Sequence, residues 1–234
     1  MSAHPDRPLT RTRLAGACLV AGALLLLTTG ALDPPLLGDT LDDLLTHVVT
    51  EPGRWTAWAL ALAATGLVLL PGIAALGRAA TGRGAALTVT GACLAGAGMV
   101  GMVLVGTREA DLPVLAGPTL PVPPDVVAAV ERMESAPGLV IPFLLMLPGY
   151  YLGLPLLFWG LRRARLVATW VPVVATVGVV GSWFATGMAD PWEFLTRGAV
   201  AVALIATSPV LLRGAVPAPS QPKRRPVNRS YAST

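Results

Sequence analysis

Long uninterrupted apolar runs, separated by short polar segments, organise the chain. Five runs contain no Asp, Glu, Lys or Arg: residues 14–32, 55–76, 85–106, 139–160 and 166–187. A helix needs about 20 apolar residues to cross a bilayer, so each run predicts a transmembrane helix. A sixth run is short and reaches full length at 194–212 only by placing Arg197 in its first turn. There Arg197 snorkels to the interface or pairs with Glu193 one turn earlier. The runs are continuous rather than alternating, which argues against barrel strands. Backbone groups in lipid bond within their own segment, and this again selects helices.

The polar segments carry a second pattern. With the N-terminus inside, the inner segments hold Arg7, Arg11, Arg13, Arg78, Arg83, Arg162, Arg163, Arg165, Arg213, Lys223, Arg224, Arg225 and Arg229 against one acid, Asp6. The outer segments hold the other twelve acids and only Arg54, Arg108, Arg132 and Arg197. Thirteen basic residues inside against four outside satisfies the positive-inside rule. Trp55, Trp183 and Trp192 fall near the outer boundary, and Trp159 and Trp170 near the inner one, as interfacial belts.

The expected fold is therefore an all-α integral membrane protein. It has about six transmembrane helices, and both termini are cytoplasmic. Residues 1–13 form the inner N-terminus, 14–212 the membrane domain, and 213–234 a disordered basic tail with Lys223-Arg224-Arg225. Arg7, Arg11 and Arg13 before the first apolar run also resemble a secretory signal. The length of that run and the lack of an Ala-x-Ala site favour a retained helix.

Two outer loops predict short amphipathic helices. In the first, Leu41, Leu44, Leu45 and Val48 recur at helical spacing, and Thr40 with Asp43 resembles a capping box. Such a helix lies on the interface or caps the bundle. In the second, Val126, Ala129, Val130 and Met133 form one stripe. Pro52-Gly53 and Pro137-Gly138 end the two loops, 85 residues apart. The spacing raises an old parallel duplication or a coincidence.

Composition sharpens this picture. Hydrophobic residues make up 54% and charged residues 13%, and mean hydropathy is +0.67. A soluble domain carries about 25% charged residues. Arginine outnumbers lysine sixteen to one, which hints at a GC-rich genome. The basic charge is a topological signal, so the pI near 9.7 does not point to nucleic acid. Cys18 and Cys93 lie inside apolar runs and read as small packing residues.

Three clusters carry candidate chemistry. The fourth run contains Pro142, Pro148-Gly149, Tyr150-Tyr151, Gly153 and Pro155. Each proline removes a helical hydrogen bond, and helices broken near the midplane expose backbone that binds solutes. Pro148, Gly149, Tyr150 and Tyr151 are the ligand-binding candidates. The plainer reading is a kinked helix whose hydroxyls bond to neighbours. Asp43, His47 and Glu51 share one helical face and are weak candidates for metal. Ligands at i, i+4 and i+8 span more than about 10 Å along the axis and converge poorly, so a solvated face is the simpler reading. Asp190, Glu193 and Arg197 form a charged cluster that resembles an ordinary helix start.

Small residues spaced by four (Ala92 and Gly96, Ala97 and Gly101, Gly178 and Ser182) predict close helix packing, with a homo-oligomer or a membrane-protein partner as one use. No run has a central Asp, Glu, Lys or His, which proton-coupled transporters need. No His-Glu-x-x-His, Gly-x-Ser-x-Gly or phosphate-binding loop occurs, so no cofactor is expected.

Short basic inner loops, an outer helix ending in Pro-Gly, and Ala/Leu/Gly-rich runs resemble the uncharacterised multi-pass membrane proteins common in high-GC actinobacteria. The resemblance implies a bacterial plasma membrane and supplies no activity. The first functional expectation is a non-enzymatic protein that binds a partner protein or lipid. The second is a transporter or channel for a neutral or lipophilic solute. The third is a membrane enzyme using outer carboxylates. A cavity reaching Tyr150 discriminates the second from a closed, dry bundle.

Overall fold

Most of each apolar run folds as a helix, whose internal hydrogen bonding satisfies the backbone without water. The computed structural model describes residues 7–34, 40–185 and 191–213. It is 88% helical, with no strand among the described residues. The helices are α1 (Arg7–Leu32), α2 (Leu41–Thr50), α3 (Pro52–Ala79), α4 (Ala85–Ala116), α5 (Pro124–Glu134), α6 (Pro137–Pro148), α7 (Leu154–Arg163), α8 (Trp170–Ala185) and α9 (Trp192–Leu212). Among the described residues, five helical stretches are long and apolar enough to cross a membrane: Thr10–Leu32, Pro52–Ala79, Gly82–Ala116, Val140–Arg163 and Trp192–Leu212. α8 is shorter, at 16 residues, or about 24 Å at 1.5 Å per residue.

α3 packs along both α4 and α1, α1 also packs on α9, and α9 packs on α8. The far side of α4 carries α6 and α7, and α7 meets α8. α6 makes no substantial contact with α8 or α9. The ring of helices thus closes at one end and stays open at the other. The closed end carries Arg78, Arg83, Arg162, Arg163 and Arg165. The open end carries α2, α5 and most of the acids.

Local sequence explains the caps. At the start of α2, the Asp43 amide donates to Thr40 Oγ1 at 3.2 Å and the Thr40 amide donates to Asp43 Oδ2 at 3.3 Å. This is the capping box expected from the spacing. α2 packs as a cap on the bundle, one of the two placements its stripe allowed. Its Leu45 and Val48 pack with Trp55, Leu112, Ala116 and Val130 in a second small core above the main one.

Four features differ from the pattern of apolar runs. α4 continues past Gly106 to Ala116, carrying Arg108, Glu109 and Asp111 as helix. Leu112 and Ala116 bury themselves in the second core, and that burial outweighs the charged stretch. The fifth run reaches helix only at Trp170, because α7 ends in a Schellman turn. Arg165 takes φ 60, its amide donates to the Arg162 carbonyl, and the Leu166 amide donates to the Leu161 carbonyl at 3.0 Å. Those bonds satisfy carbonyls at the helix end and reverse the chain. Trp55 is buried rather than interfacial, while Trp159, Trp170, Trp183 and Trp192 are exposed. Cys93 is exposed and fills no packing gap, whereas Cys18 is partly buried.

The fourth run is continuous. Residues Gly149–Gly153 form one π turn between α6 and α7, and Pro148, Gly149, Gly153 and Leu154 all keep helical backbone angles. The break with exposed backbone, the alternative to the plainer kinked-helix reading, is not there. A π turn adds one residue to the turn and shifts the helical register instead of unwinding it. What holds this segment is close packing: a Cβ on Gly149 would lie 2.3 Å from the Gly98 Cα of α4.

Candidate functional site

The open end of the ring leaves a cavity of about 740 Å³. Ligand pockets typically occupy about 300–1,000 Å³. Its walls come from elements far apart in sequence. α1 supplies Leu26 and Thr29, and Asp33 follows its last residue; α3 supplies Trp55, Trp58 and Leu62. From α4 come Met102, Val105, Arg108 and Glu109. The α6 wall includes Phe143, Met146 and Leu147. Tyr150 and Tyr151 of the π turn lie deepest along that helix, where Tyr150 faces Ser182 of α8. α9 closes the ring with Glu193 and Arg197.

Three ion pairs lie on the walls. Arg197 donates to Asp33 at 2.9 Å and also to Glu193 one turn back. The first bond ties the end of α1 to the start of α9. Arg108 pairs with its neighbour Glu109 at 2.7 Å. All five side chains are at most 17% exposed, so these pairs are screened less than surface ones. The Trp55 indole donates to the Glu109 carbonyl at 3.1 Å, locking α3 to α4. Trp55 and Trp58 make a tilted ring contact at 5.4 Å, and Tyr150, Tyr151 and Trp183 form an edge-on chain at 5.3 and 5.1 Å. That chain marks the floor of the opening between α6 and α8.

Three nitrogens of lining side chains have no partner among the described residues: Trp58 Nε1, Arg108 Nη2 and Arg197 Nη1, each buried so that it does not open onto the cavity. A buried donor without an acceptor costs about 1–3 kcal/mol. Four carboxylates line the cavity, from Asp33, Glu109, Glu134 and Glu193, against the two guanidiniums.

Among the residues singled out in the sequence, Tyr150 and Tyr151 line the cavity, but Pro148 and Gly149 do not. Gly149 serves the approach of α4. Asp43, His47 and Glu51 do not converge on one point. Asp43 is held in the capping box, Glu51 pairs with Arg54 at 3.4 Å, and His47 Nε2 is buried without a partner. Among the described residues no group of three metal-ligating side chains forms. Glu193 and Arg197 reach the cavity, whereas Asp190 lies outside the described residues, as does the basic tail beyond Arg213. Trp58, Met102 and Arg108 escaped the sequence reading. Only tertiary packing brings them to the cavity, although Arg108 beside Glu109 at the end of an apolar run was a signal.

Fold and site together define an all-helical bundle with five apolar helices of membrane-crossing length and a cavity in its acid-rich half. Comparison with protein-family models, curated proteins and solved structures finds no match.

Proposed function

We propose that this is a non-enzymatic, multi-pass plasma-membrane protein that binds a lipid or lipid-like solute in the outer half of its bundle, as a carrier or receptor. The observation that carries the reading is the cavity reaching Tyr150 and Tyr151. Its walls are mostly aliphatic and aromatic, which favours an apolar body, and its charged residues gather at the mouth. The gap between α6 and α9 supports entry from the bilayer side. In this reading α8 is the sixth span, and its shortfall against about 30 Å of hydrocarbon is met by local thinning and the exposed Trp170 and Trp183 at its ends. Both termini face the cytoplasm, on the strength of the thirteen basic residues at the closed end and termini. The bacterial plasma membrane follows from the resemblance in composition.

Native mass spectrometry of protein released from lipid nanodiscs tests the reading. The wild type is expected to retain a defined small molecule that Leu147→Trp, which narrows the cavity from its α6 wall, holds less well. If both carry the same bulk phospholipid and nothing else, the reading falls.

A further inference from the structure

The charged lining of the cavity specifies the sign of its ligand, given the reading above that the cavity binds a lipid-like solute. In two places, two carboxylates share one guanidinium. Asp33 and Glu193 both bond to Arg197. Glu109 pairs with Arg108, and Glu134 at the end of α5 lies near enough for its charge to act on Glu109. Glu134 itself makes no ion pair among the described residues. Four carboxylates against two guanidiniums leave the lining a formal excess of negative charge. The guanidiniums have little left to offer a ligand. Arg108 Nη1 and Arg197 Nη2 are bonded to carboxylates, and Arg108 Nη2 and Arg197 Nη1 are closed off from the cavity. Glu109 differs. It is 7% exposed and lines the cavity. Its Oε1 accepts from Arg108 at 2.7 Å, and its Oε2 has no hydrogen-bond partner among the described residues. A buried carboxylate oxygen without a donor is costly, and a cation brought beside it offsets that cost.

The uncharged lining suits the rest of a cationic amphiphile. The Trp55 indole bonds to the Glu109 carbonyl, and Trp58 contacts Trp55 at 5.4 Å, so aromatic rings stand beside the buried carboxylate. Tyr150 and Tyr151 add two more rings deeper in the cavity. Aromatic faces attract cations and hold quaternary ammonium groups in this way. Leu26, Leu62, Met102 and Val105 supply apolar wall for a chain. An anionic head meets the excess of carboxylates and finds no free terminal guanidinium nitrogen. A neutral head leaves the charge of Glu109 and Glu134 uncompensated. We infer that the cavity takes an amphiphile whose head is a net cation, a protonated amine or quaternary ammonium on an apolar chain.

The test uses four probes that share a hexadecyl chain: hexadecyltrimethylammonium, hexadecylphosphocholine, hexadecanol and hexadecanoate. Each enters nanodiscs of dimyristoylphosphatidylcholine at the same low mole fraction, and native mass spectrometry reads what the released protein retains. Retention of the trimethylammonium probe about tenfold or more over the other three is the expected result. Glu134→Gln removes one exposed, unpaired charge. It should lower the ratio of trimethylammonium to hexadecanol retained about two- to tenfold, the range for one carboxylate in a wet mouth. Leu147→Trp should also weaken the trimethylammonium probe; unchanged retention there puts the cation on the outer surface and overturns the inference. Preferential retention of the phosphocholine, the alcohol or the carboxylate overturns it while leaving a lipid-binding cavity intact. An unchanged ratio in Glu134→Gln overturns it as well. Failure of all four probes to bind the wild type takes down the lipid-binding reading itself.

Discussion

Gly149→Ala is the sharpest single test of how the cavity floor is held. The added Cβ would lie 2.3 Å from both Cα and N of Gly98 and 2.6 Å from the Leu94 carbonyl oxygen. All three are backbone atoms of α4, so no side chain can turn aside. Carbon atoms pack at about 3.5–4.0 Å, so the π turn must withdraw from α4 by about 1 Å or more. Overpacking of this kind costs about 1–3 kcal/mol. Alanine offsets part of that, since it is better than glycine in a helix by up to about 1 kcal/mol. Gly96→Ala separates the two effects. Its Cβ meets nothing closer than 4.0 Å, so it keeps the helical gain without the clash. Thermal unfolding in nanodiscs should place Gly149→Ala several degrees below Gly96→Ala, at about 2–4 °C per kcal/mol. Ligand retention should fall as well, because Tyr150 and Tyr151 ride on the displaced turn. If Gly149→Ala is as stable as Gly96→Ala, the close α4 contact is not what holds the floor.

Other perturbations probe the walls. Arg197→Leu takes the guanidinium away from Glu193 and from Asp33 and should cost about 3–5 kcal/mol; adding Glu193→Gln should recover part of the lost melting temperature, because the Glu193 carboxylate has lost its ion pair. Trp55→Phe leaves the Glu109 carbonyl unpaired and should lower stability by about 1–3 kcal/mol by the same unfolding assay. Cys93 is exposed on α4 and Cys18 only partly so. A lipid-soluble maleimide should therefore label Cys93 first, as read by peptide mass mapping.

The helices were legible because length and apolarity alone decide them. A run of about 20 uncharged residues has few alternatives to a membrane helix. The cap of α2 was legible too, since Thr40 and Asp43 are three residues apart and need nothing from elsewhere in the chain. Helix ends set by distant packing were not. Arg108, Glu109 and Asp111 look like a loop until Leu112 and Ala116 are seen buried under α2 and α5. The turn at Arg165 carries no glycine to announce its positive φ. Of the site, Tyr150 and Tyr151 stood out beside Pro148-Gly149, but the proline-glycine signal left an unwound and a kinked helix both open, and the segment is a π turn packed on Gly98. The Asp33–Arg197 bond joins residues 164 positions apart. No local pattern encodes such a pairing, and the cavity it braces exists only once α1 and α9 meet.

Cysteine accessibility in intact cells tests the central claim, a solute cavity open on the outer side of a membrane bundle. In a chain with Cys18→Ala and Cys93→Ala, Leu147→Cys lies on the cavity wall, Leu67→Cys on the exposed face of α3, and Arg83→Cys in the turn at the opposite end. The account predicts that a membrane-impermeant thiol reagent added outside labels Leu147→Cys, leaves Leu67→Cys untouched, and reaches Arg83→Cys only after permeabilisation. Labelling of Arg83→Cys in intact cells, with Leu147→Cys unreactive until permeabilisation, would contradict it.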